Sequence, residues 1–398
     1  MKQAHFKSLS LRPEVQNIIE QLHFKQPTNI QEKAIPEILQ GRSVVGQSKT
    51  GSGKTHAYLL PIFQRLKEEN NHVQFVITAP TRELCQQIYS NVREIITLAE
   101  KENQWFAELL IGGSEKQLTE KKRQTPHIII GTPHRILDLV NDGFLSIYTA
   151  EMFVIDEADL MLDLGFIEEI DQLLVRSKEN IQVLAFSATI PERLHHFFKK
   201  YLRQPKYIID DEHIFPEHLE HRLIALKYRE PLEIIVELSK VFQPYLALVF
   251  TNGKEEADEL SFGLQREGLN VGYIHGGLTP RERRRLLREI NNLRYQYIVA
   301  TDLASRGIDI EGVSHVINAQ MPKEEHFYIH RVGRTARAGL PGTAISFYDE
   351  DDLPLIHSFE RKNVHFKYVD VKDGEWIEAR RIDDRNQRRR GSRRHKRK

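Results

Sequence analysis

The sequence predicts an α/β protein with two domains, each a mainly parallel sheet flanked by helices. Its 398 residues are enough for about two domains with separate cores. Short apolar runs alternate with helix-like segments, which is the pattern of strands joined by helical crossovers. The alternation breaks at a charged stretch that contains Pro216, and a second α/β series follows it. We therefore predict a first domain, a linker, a second domain and a tail at residues 1–209, 210–217, 218–371 and 372–398.

The composition is that of a soluble globular protein. Hydrophobic residues make up 40% of the chain and charged residues 28%. No apolar run approaches the ~18 residues of a membrane span, and the first residues lack the apolar core of a signal peptide. The single cysteine, Cys85, excludes an internal disulfide and a thiolate metal cluster. These features predict a cytoplasmic protein that does not associate with membranes.

The net charge of +1 hides an asymmetry between the body and the C-terminus. Residues 379–398 carry a net charge of +9, so the preceding 378 residues carry −8. From Arg385 onward there are nine Lys and Arg residues and no acid. The low apolar content predicts a disordered tail, and its charge favours contact with a polyanion such as RNA. A role in nuclear localisation or solubility is the alternative.

Residues 46–55, Gly-Gln-Ser-Lys-Thr-Gly-Ser-Gly-Lys-Thr, form the clearest motif of the first domain. They follow an apolar run and precede a helix-like segment, so glycine-rich backbone N–H groups and a helix N-terminus can surround a phosphate. Lys54 can reach the β- and γ-phosphates, and the Thr55 hydroxyl can ligate Mg²⁺. Ser48 stands where the usual pattern has Gly or Ala. The alternative is an ordinary glycine-rich turn between a strand and a helix.

A second motif, Asp156-Glu157-Ala158-Asp159, follows the apolar run at residues 153–155. Asp156 is placed to hold Mg²⁺, usually through water, and Glu157 to polarise an attacking water. The acids could instead simply begin the next helix, where its dipole favours them. Their combination with a phosphate loop favours nucleotide hydrolysis.

Gln31 belongs to a helix that we predict from about residue 29 to residue 40, with Pro27 at its entry and Gly41 at its end. Its amide offers a donor and an acceptor, the complement of adenine's N6 and N7 edge. A solvated helix glutamine is the alternative.

Further polar loops follow other predicted strands, at residues 80–84, 112–113, 132–135 and 187–189. Small residues, hydroxyls and arginines beside exposed backbone suit contact with a phosphodiester chain. The second domain has no second phosphate loop but contains three arginines in residues 331–337, around Gly333. Beside a nucleotide-binding domain they favour arginine fingers over a solvated face.

The whole motif set resembles that of the DEAD-box RNA helicases, in the family's order over about residues 6–340. The resemblance implies two RecA-like domains that close over ATP and RNA together. It implies nucleotide contacts at Phe6, Phe24, Gln31, Ser48, Thr50, Gly51, Ser52, Gly53, Lys54, Thr55 and Asp309. It implies catalytic roles for Lys54, Asp156, Glu157, His330, Arg334 and Arg337, with Mg²⁺ at Thr55 and Asp156. Ser187 and Thr189 would couple the ATP state to strand separation. RNA contacts would come from Thr81, Arg82, Gly113, Thr132, Arg135, Thr251, Arg283 and Thr301.

Several positions depart from the family pattern. His23, His134 and Ala336 replace glycines that are usual there, and Gly277 and Pro280 stand where Asp and Gln are usual. The second domain is therefore expected to grip RNA more weakly or differently. The compact body with a short basic tail is similar to bacterial cold-shock or ribosome-assembly members.

The sequence thus predicts a monomeric, RNA-dependent ATPase that locally separates short RNA duplexes or remodels RNA–protein complexes. Structured or duplex RNA, contacted mainly through its backbone, is the expected partner, with ribosomal or RNA-decay proteins as further partners. An ATP-gated RNA clamp with slow hydrolysis is the main alternative. A DNA translocase of related fold is the weaker one.

Overall fold

The computed structural model describes residues 5–49, 51–112, 125–202, 204–210, 215, 218–302, 310, 312–336 and 340–382. The chain forms two compact units, residues 1–214 and 215–398, and each unit contains one sheet. The predicted class, two α/β domains in tandem, is confirmed. The proposed linker at 210–217 lies at the division, and most of it falls outside the described residues.

The first unit is built on seven strands, which all pair in parallel in the order β3-β4-β2-β5-β6-β1-β7. Their bounds are β1 Val44–Gln47, β2 Phe75–Thr78, β3 Ala107–Leu110, β4 Ile128–Gly131, β5 Met152–Asp156, β6 Gln182–Ser187 and β7 Lys206–Ile209. The helices are α1 Pro13–Gln21, α2 Asn29–Leu39, α3 Lys54–Arg65, α4 Arg82–Leu98, α5 Pro133–Asn141, α6 Ala158–Asp163, α7 Ile167–Val175 and α8 Glu192–Tyr201, and a short 3₁₀ helix spans Phe6–Leu9.

Central strands of this sheet are apolar without interruption because helices cover both faces. Met152 and Val154 of β5 belong to the core on one face, which includes Trp105 and residues of α1 to α4. Phe153 and Ile155 belong to the core on the other face, with residues of α5 to α8. Side chains that alternate between two buried faces explain why the strand pattern is continuous rather than alternating.

The described residues of the second unit form eight strands in the order β10-β11-β9-β12-β13-β8-β14-β15, parallel except for the final antiparallel pair. Their bounds are β8 Leu219–Ala225, β9 Ala247–Thr251, β10 Val271–Ile274, β11 Tyr297–Thr301, β12 His315–Asn318, β13 Gly342–Tyr348, β14 Phe366–Lys372 and β15 Glu375–Glu378. The helices described in this unit are α9 Pro231–Val241, α10 Lys254–Arg266, α11 Pro280–Asn291, α12 Glu325–Val332 and α13 Leu353–Arg361.

The strands β14 and β15 correct the predicted start of the tail. The predicted tail begins at residue 372, but this residue ends β14, and Asp373-Gly374 turns the chain into β15. Both turn residues have positive φ, 52° and 79°, as a tight hairpin turn requires. Asp-Gly is a strong hairpin signal, and the charged residues around it concealed the pattern. The rest of the tail, residues 383–398, lies outside the described residues.

Within the described ranges, every helix is too short or too polar to cross a bilayer.

Candidate functional site

The phosphate loop joins β1 to α3, as the sequence predicts. Gly53 has φ +89°, and a Cβ on it would lie 2.5 Å from the Gln31 Nε2 atom. Glycine is therefore required there by both the backbone conformation and the space available. The loop is also tied to the neighbouring strand β6, because the Ser48 N–H donates to the Ser187 carbonyl at 3.0 Å.

Lys54 is buried and held inside the loop. Its Nζ donates to the Ser48 carbonyl at 3.0 Å and lies 3.4 Å from Glu157 Oε1. The hydroxyls of Ser48 and Ser52 are 2.6 Å apart. The ammonium group is thus already positioned in the cradle, where an entering phosphate would compete with Glu157 for it.

The two adjacent acids lie where β5 ends, and their environments differ. Asp156 is buried; its carboxylate accepts from the Tyr58 hydroxyl at 2.9 Å and from the Glu157 N–H at 3.1 Å. Burial, and then the neighbouring Glu157 carboxylate, raise the pKa of Asp156 to about 7. Glu157 is half-buried and has φ 51°, so the chain turns sharply at the start of α6.

These oxygens fit a magnesium ion. Mg²⁺ prefers carboxylate and hydroxyl oxygens, and a buried carboxylate with a raised pKa gains from a neighbouring cation. Asp156 and the half-buried Thr55 at the start of α3 supply such oxygens. The donor set therefore agrees with the predicted site.

Ser187 and Thr189 are linked directly to Asp159, which has no separate role in the sequence-based predictions. The Thr189 N–H and hydroxyl donate to Asp159 Oδ2 at 3.0 and 2.8 Å. The Asp159 N–H donates to the Ser187 hydroxyl at 3.0 Å. A buried carboxylate with these partners fixes the loop after β6 against the start of α6. Asp159 and Thr189 are 30 residues apart in sequence and follow two neighbouring strands. An expectation that the ends of these two strands lie close together could have predicted the role of Asp159.

Gln31 is neither solvated nor free to move. It is buried in the first turn of α2, where its Oε1 accepts from the Thr28 N–H at 3.1 Å. Its Nε2 donates to the Gly53 carbonyl at 3.0 Å. An amide group has two donor hydrogens and two acceptor lone pairs, so one of each remains for a ligand. The residue joins α2 to the phosphate loop and keeps the capacity that adenine recognition requires.

Phe6 and Phe24 lie near each other, with ring centroids 6.4 Å apart. Phe6 is buried in the 3₁₀ helix, and Phe24 is half-buried and contacts the His56 ring edge-on at 4.8 Å. Burial lowers the pKa of His56 to about 4, so the imidazole is neutral near pH 7. Phe24 thus keeps more of its ring exposed than Phe6 does.

The loops expected to contact RNA follow β2, β3 and β4, which are neighbours in the sheet. Thr81 caps α4 by accepting from the Leu84 N–H. The Arg82 side chain lies over Gly112, where an added Cβ would come within 2.9 Å of its guanidinium group. Thr132 begins α5, and Arg135 is half-buried in its first turn. The phosphate loop, the acid motif and Ser187, which are expected to act at the nucleotide, lie at or after the ends of β1, β5 and β6, so the two sets occupy adjoining halves of one sheet edge.

In the second unit, two predicted RNA contacts are paired. Thr251 and Thr301 end β9 and β11 and are register partners in the sheet. Both are buried, and the Thr251 hydroxyl donates to the Gly253 carbonyl at 3.1 Å. Arg283 is half-buried in α11. The carboxyl-terminal edge of this sheet thus carries the polar residues, as in the first unit.

The interpretation of the three arginines in residues 331–337 as arginine fingers is wrong for the first of them, Arg331. It is fully buried, and its Nε and Nη2 donate to the two Asp302 carboxylate oxygens at 2.6 and 2.7 Å. It also donates to Asn252 Oδ1 and to the Gln320 carbonyl. This bidentate pair connects the ends of three strands and positions the residues that follow it.

His330 and Arg334 are both buried, at the end of α12 and in the turn after it. The Arg334 N–H donates to the Arg331 carbonyl at 3.1 Å. Four further predicted site residues lie outside the described residues: Thr50, Gly113, Asp309 and Arg337.

Two of the positions that replace a usual family glycine have left-handed backbone. His23 has φ 58° and Ala336 has φ 54°, the region that glycine occupies without strain. His134 is exposed, 3.7 Å from Asp138 in the next turn of α5. A Cβ on Gly277 would come within 3.1 Å of both His275 Nδ1 and the Lys254 side chain, a close approach that would require a small shift of one of them.

The fold and this pair of motif-lined sheet edges define a two-domain helicase. The sequence model described as "DEAD/DEAH box helicase" matches residues 28–197, and the model "Helicase conserved C-terminal domain" matches residues 230–339. Together they cover more than half of the chain, and the resemblance read from the motifs is confirmed.

Curated relatives specify the class further. The chain is 46% identical over 381 residues to the DEAD-box ATP-dependent RNA helicase CshB of Bacillus cereus, covering 95% of this chain and 87% of that protein. It is 45% identical over 390 residues to CshB of Bacillus subtilis, covering 98% and 88%. The chain therefore belongs to the DEAD-box ATP-dependent RNA helicases.

Solved structures agree. The S. cerevisiae protein Dbp5 bound to RNA and ADP BeF3 superposes with a TM-score of 0.78 at 27% identity, covering 92% of this chain and 95% of that one. Mss116p bound to ssRNA and AMP-PNP gives a TM-score of 0.79 at 26% identity, covering 94% and 81%.

Proposed function

We propose that this protein uses RNA-stimulated ATP hydrolysis to separate short RNA duplexes locally or to remodel RNA–protein complexes. The observation that carries the proposal is the division of one sheet edge into a nucleotide half and an RNA half. The strands β5, β6 and β1 carry the phosphate loop, the acids and Ser187, and β2 joins this half to the RNA loops. The bonds from Thr189 to Asp159 tie the acid motif to the loop after β6.

The residues of the nucleotide half have distinct roles. Lys54 binds the β- and γ-phosphates, and Gln31 reads adenine with the donor and acceptor that its internal contacts leave. Glu157 orients the attacking water, and ATP entry releases it from Lys54, 3.4 Å away. A bound Mg²⁺ would be held by Asp156 and Thr55 and would offset the phosphate charge.

The second unit completes the site in this proposal. Arg334 and Arg337 act as arginine fingers at the γ-phosphate, and His330 and Asp309 contribute further contacts to the nucleotide. This proposal is supported by the buried Arg331–Asp302 pair, because the pair fixes the C-terminal end of α12 and Arg334 lies in the turn that follows this helix. RNA is bound mainly through its backbone, by loops whose hydroxyls and arginines lie beside exposed main chain.

The cellular role proposed for this chain is ribosome assembly, RNA turnover or cold adaptation in the cytoplasm. Support comes from the compact body with a short basic tail in the sequence, which is similar to bacterial cold-shock or ribosome-assembly members of the family. The chain acts as a monomer in this proposal, with ribosomal or RNA-decay proteins as partners.

Strand separation is tested with a short RNA duplex that carries a single-stranded overhang. We expect ATP and Mg²⁺ to release the labelled strand, and a DNA duplex of the same sequence to remain paired. RNA should stimulate ATP hydrolysis strongly. Release of the DNA strand at an equal rate would favour a DNA translocase instead.

An ATP-gated RNA clamp with slow hydrolysis is the second candidate function. The lifetime of the RNA complex distinguishes the two functions. A long-lived complex with ATP itself, without strand release, would establish the clamp. Rapid dissociation after each hydrolysis event would establish the unwinding enzyme.

A further inference from the structure

One face of α11 is a row of exposed arginines. Residues 281–294 contain six arginines and two glutamates, a net charge of +4 within a body that is acidic overall. Arg281, Arg284, Arg285 and Arg288 are all exposed. Their spacing of three, four and seven residues places them on one side of the helix.

The opposite face of α11 is attached to the domain. Ile290 is buried, and Leu286, Leu287 and Arg283 are half-buried. At 100° per residue, Arg283 lies on this inner side, more than a quarter turn away from the row. The arginine row is therefore a different surface from the predicted RNA contact at Arg283. The helix packs beside β10, the edge strand of the sheet, so the row faces outward.

The two glutamates of α11 are engaged by hydrogen bonds at its two ends. Glu282 closes the N-terminal capping box, accepting from the Thr279 N–H at 2.9 Å and from its hydroxyl at 2.6 Å. Glu289 accepts from the Tyr295 hydroxyl at 2.8 Å and from Arg285 Nε at 3.1 Å. These hydrogen bonds hold the pKa of both carboxyl groups below the usual range. With both glutamates ionised the segment keeps its net positive charge, and Glu289 lies within 4.0 Å of two of its arginines, Arg285 and Arg294.

We propose that Arg281, Arg284 and Arg288 bind the phosphate backbone of RNA that extends beyond the segment held by the motif loops. The proposal rests on the proposed function, because it supposes that RNA is bound at the sheet edge. Seven residues of helix rise about 10 Å, which matches a stretch of backbone with about three phosphates. Guanidinium groups bind phosphate oxygens in pairs, and arginine is the usual residue for such contacts. The surface would hold structured RNA while a strand is separated.

The test replaces the three arginines by glutamine, which keeps helix propensity and removes the charge. The matched control is Lys240→Gln/Arg266→Gln/Lys362→Gln, which removes three positive charges elsewhere on the same unit. Binding is measured without nucleotide, between 50 and 200 mM salt, for a hairpin with a single-stranded overhang and for a single strand of about ten nucleotides.

Loss of three phosphate contacts should flatten the plot of log affinity against log salt by about 2 for the hairpin RNA. Over this salt range that slope corresponds to roughly twentyfold in affinity. The ten-nucleotide strand should bind the wild type, the triple arginine variant and the control variant with equal affinity. The ATPase rates of both variants at saturating RNA should stay near that of the wild type. The KM for the hairpin RNA should rise.

An unchanged slope in the Arg281→Gln/Arg284→Gln/Arg288→Gln variant would overturn the proposal and leave an acidic protein as the occupant to test. An equal effect of the control variant would also overturn it, since net charge alone would then be responsible. Failure of the wild type to show RNA-stimulated ATPase would instead contradict the proposed function, because the salt slope is measured independently of turnover.

Discussion

At the scale of single residues, some positions in and near the site have a strained backbone, whereas others have hydrogen-bonded polar side chains. Glu157, His23 and Ala336 all have positive φ, although only glycine adopts that conformation without cost. The strain at Glu157 turns an acid toward Lys54. His23 is exposed, and its side chain makes no contribution to the core that would offset its backbone strain.

His23→Gly should therefore stabilise the first unit. Relief of the left-handed strain exceeds the added flexibility of the unfolded chain, for a gain of about 1 kcal/mol. In a unit of this size the gain corresponds to a rise in Tm of about 2–4 °C. Thermal unfolding checks this, with His23→Ala as the control that removes the imidazole but keeps the strain. A Tm for His23→Gly at or below that of the alanine variant would show that the strain costs nothing.

In the proposed function, Gln31 selects adenine with the donor and acceptor that its internal hydrogen bonds leave. Gln31→Ala should reduce the preference for ATP over GTP in RNA-stimulated turnover, because guanine presents O6 where adenine has its amino group. The same variant loses the bond to the Gly53 carbonyl, so some loss of ATP affinity is expected as well. The ratio of kcat/KM for the two nucleotides isolates the first effect. Equal use of ATP and GTP by the intact protein would remove Gln31 as the selective group.

At the scale of secondary-structure elements, polar residues at strand ends are positioned by buried networks. The Arg331–Asp302 pair connects α12 to the end of β11, and the hydrogen bonds of Asp159 connect α6 to the loop after β6. In the interior of the second unit, His221 on β8 binds the Tyr328 hydroxyl at 2.9 Å and contacts the Phe215 ring at 4.7 Å. This histidine joins β8 to α12 within an aromatic cluster.

His221 makes the second unit sensitive to acid. Burial lowers the pKa of His221 to about 4, whereas the unfolded chain titrates near pH 6.5. Between these values the unfolded state binds more protons, so this group's contribution to stability is present above pH 6.5 and is lost as the pH falls toward 4. From pH 7.5 to pH 5 the loss should be about 2 kcal/mol.

Urea unfolding at the two pH values tests this contribution. The glutamine in His221→Gln keeps a hydrogen-bonding partner for Tyr328 but does not titrate. From pH 7.5 to pH 5 the free energy of unfolding of this variant should therefore fall by about 2 kcal/mol less than that of the wild type. In a Trp105→Phe background the only remaining tryptophan is Trp376 of β15, whose fluorescence reports on the second unit. Equal losses with and without the His221→Gln substitution would exclude this histidine as the source of acid sensitivity.

The elements also show where sequence reasoning succeeds and where it fails. The phosphate loop and the acid motif are local strand–loop–helix patterns. The apolar run at residues 153–155 lies within β5, and the helix predicted from about residue 29 to residue 40 spans Asn29–Leu39. β14 and β15 were missed because charged residues obscure their alternation around Asp373-Gly374. Asp159 and Arg331 acquire their roles only through partners distant in sequence, which spacing alone does not reveal.

At the scale of the whole molecule, an acidic body carries a basic tail and a basic helix face. The hairpin that precedes the tail is anchored, because the Ile382 N–H donates to the Tyr348 hydroxyl and Arg381 pairs with Glu360. A truncation that tests the tail should therefore end after Ile382, so that these contacts remain.

Truncation after Ile382 should weaken RNA binding with little change in the saturated ATPase rate. The removed segment contains nine Lys and Arg residues. If these neutralise about five phosphates, the plot of log affinity against log salt flattens by ~3.5, roughly a hundredfold between 50 and 200 mM salt. Parallel salt plots for the full-length and truncated proteins would show that the tail does not grip RNA, and would favour a protein partner.

The proposed role of Glu157 in RNA-stimulated ATP hydrolysis is tested by the substitution Glu157→Gln. The glutamine keeps the shape but cannot orient the water as a base, and it releases Lys54 from an ion pair. We measure ATP affinity, RNA affinity and RNA-stimulated hydrolysis together, with the exposed Glu168→Gln as the control. We expect intact or tighter binding of ATP and RNA with turnover reduced by orders of magnitude, while Glu168→Gln behaves as wild type. Hydrolysis by Glu157→Gln at a near wild-type rate would remove Glu157 from the proposed mechanism.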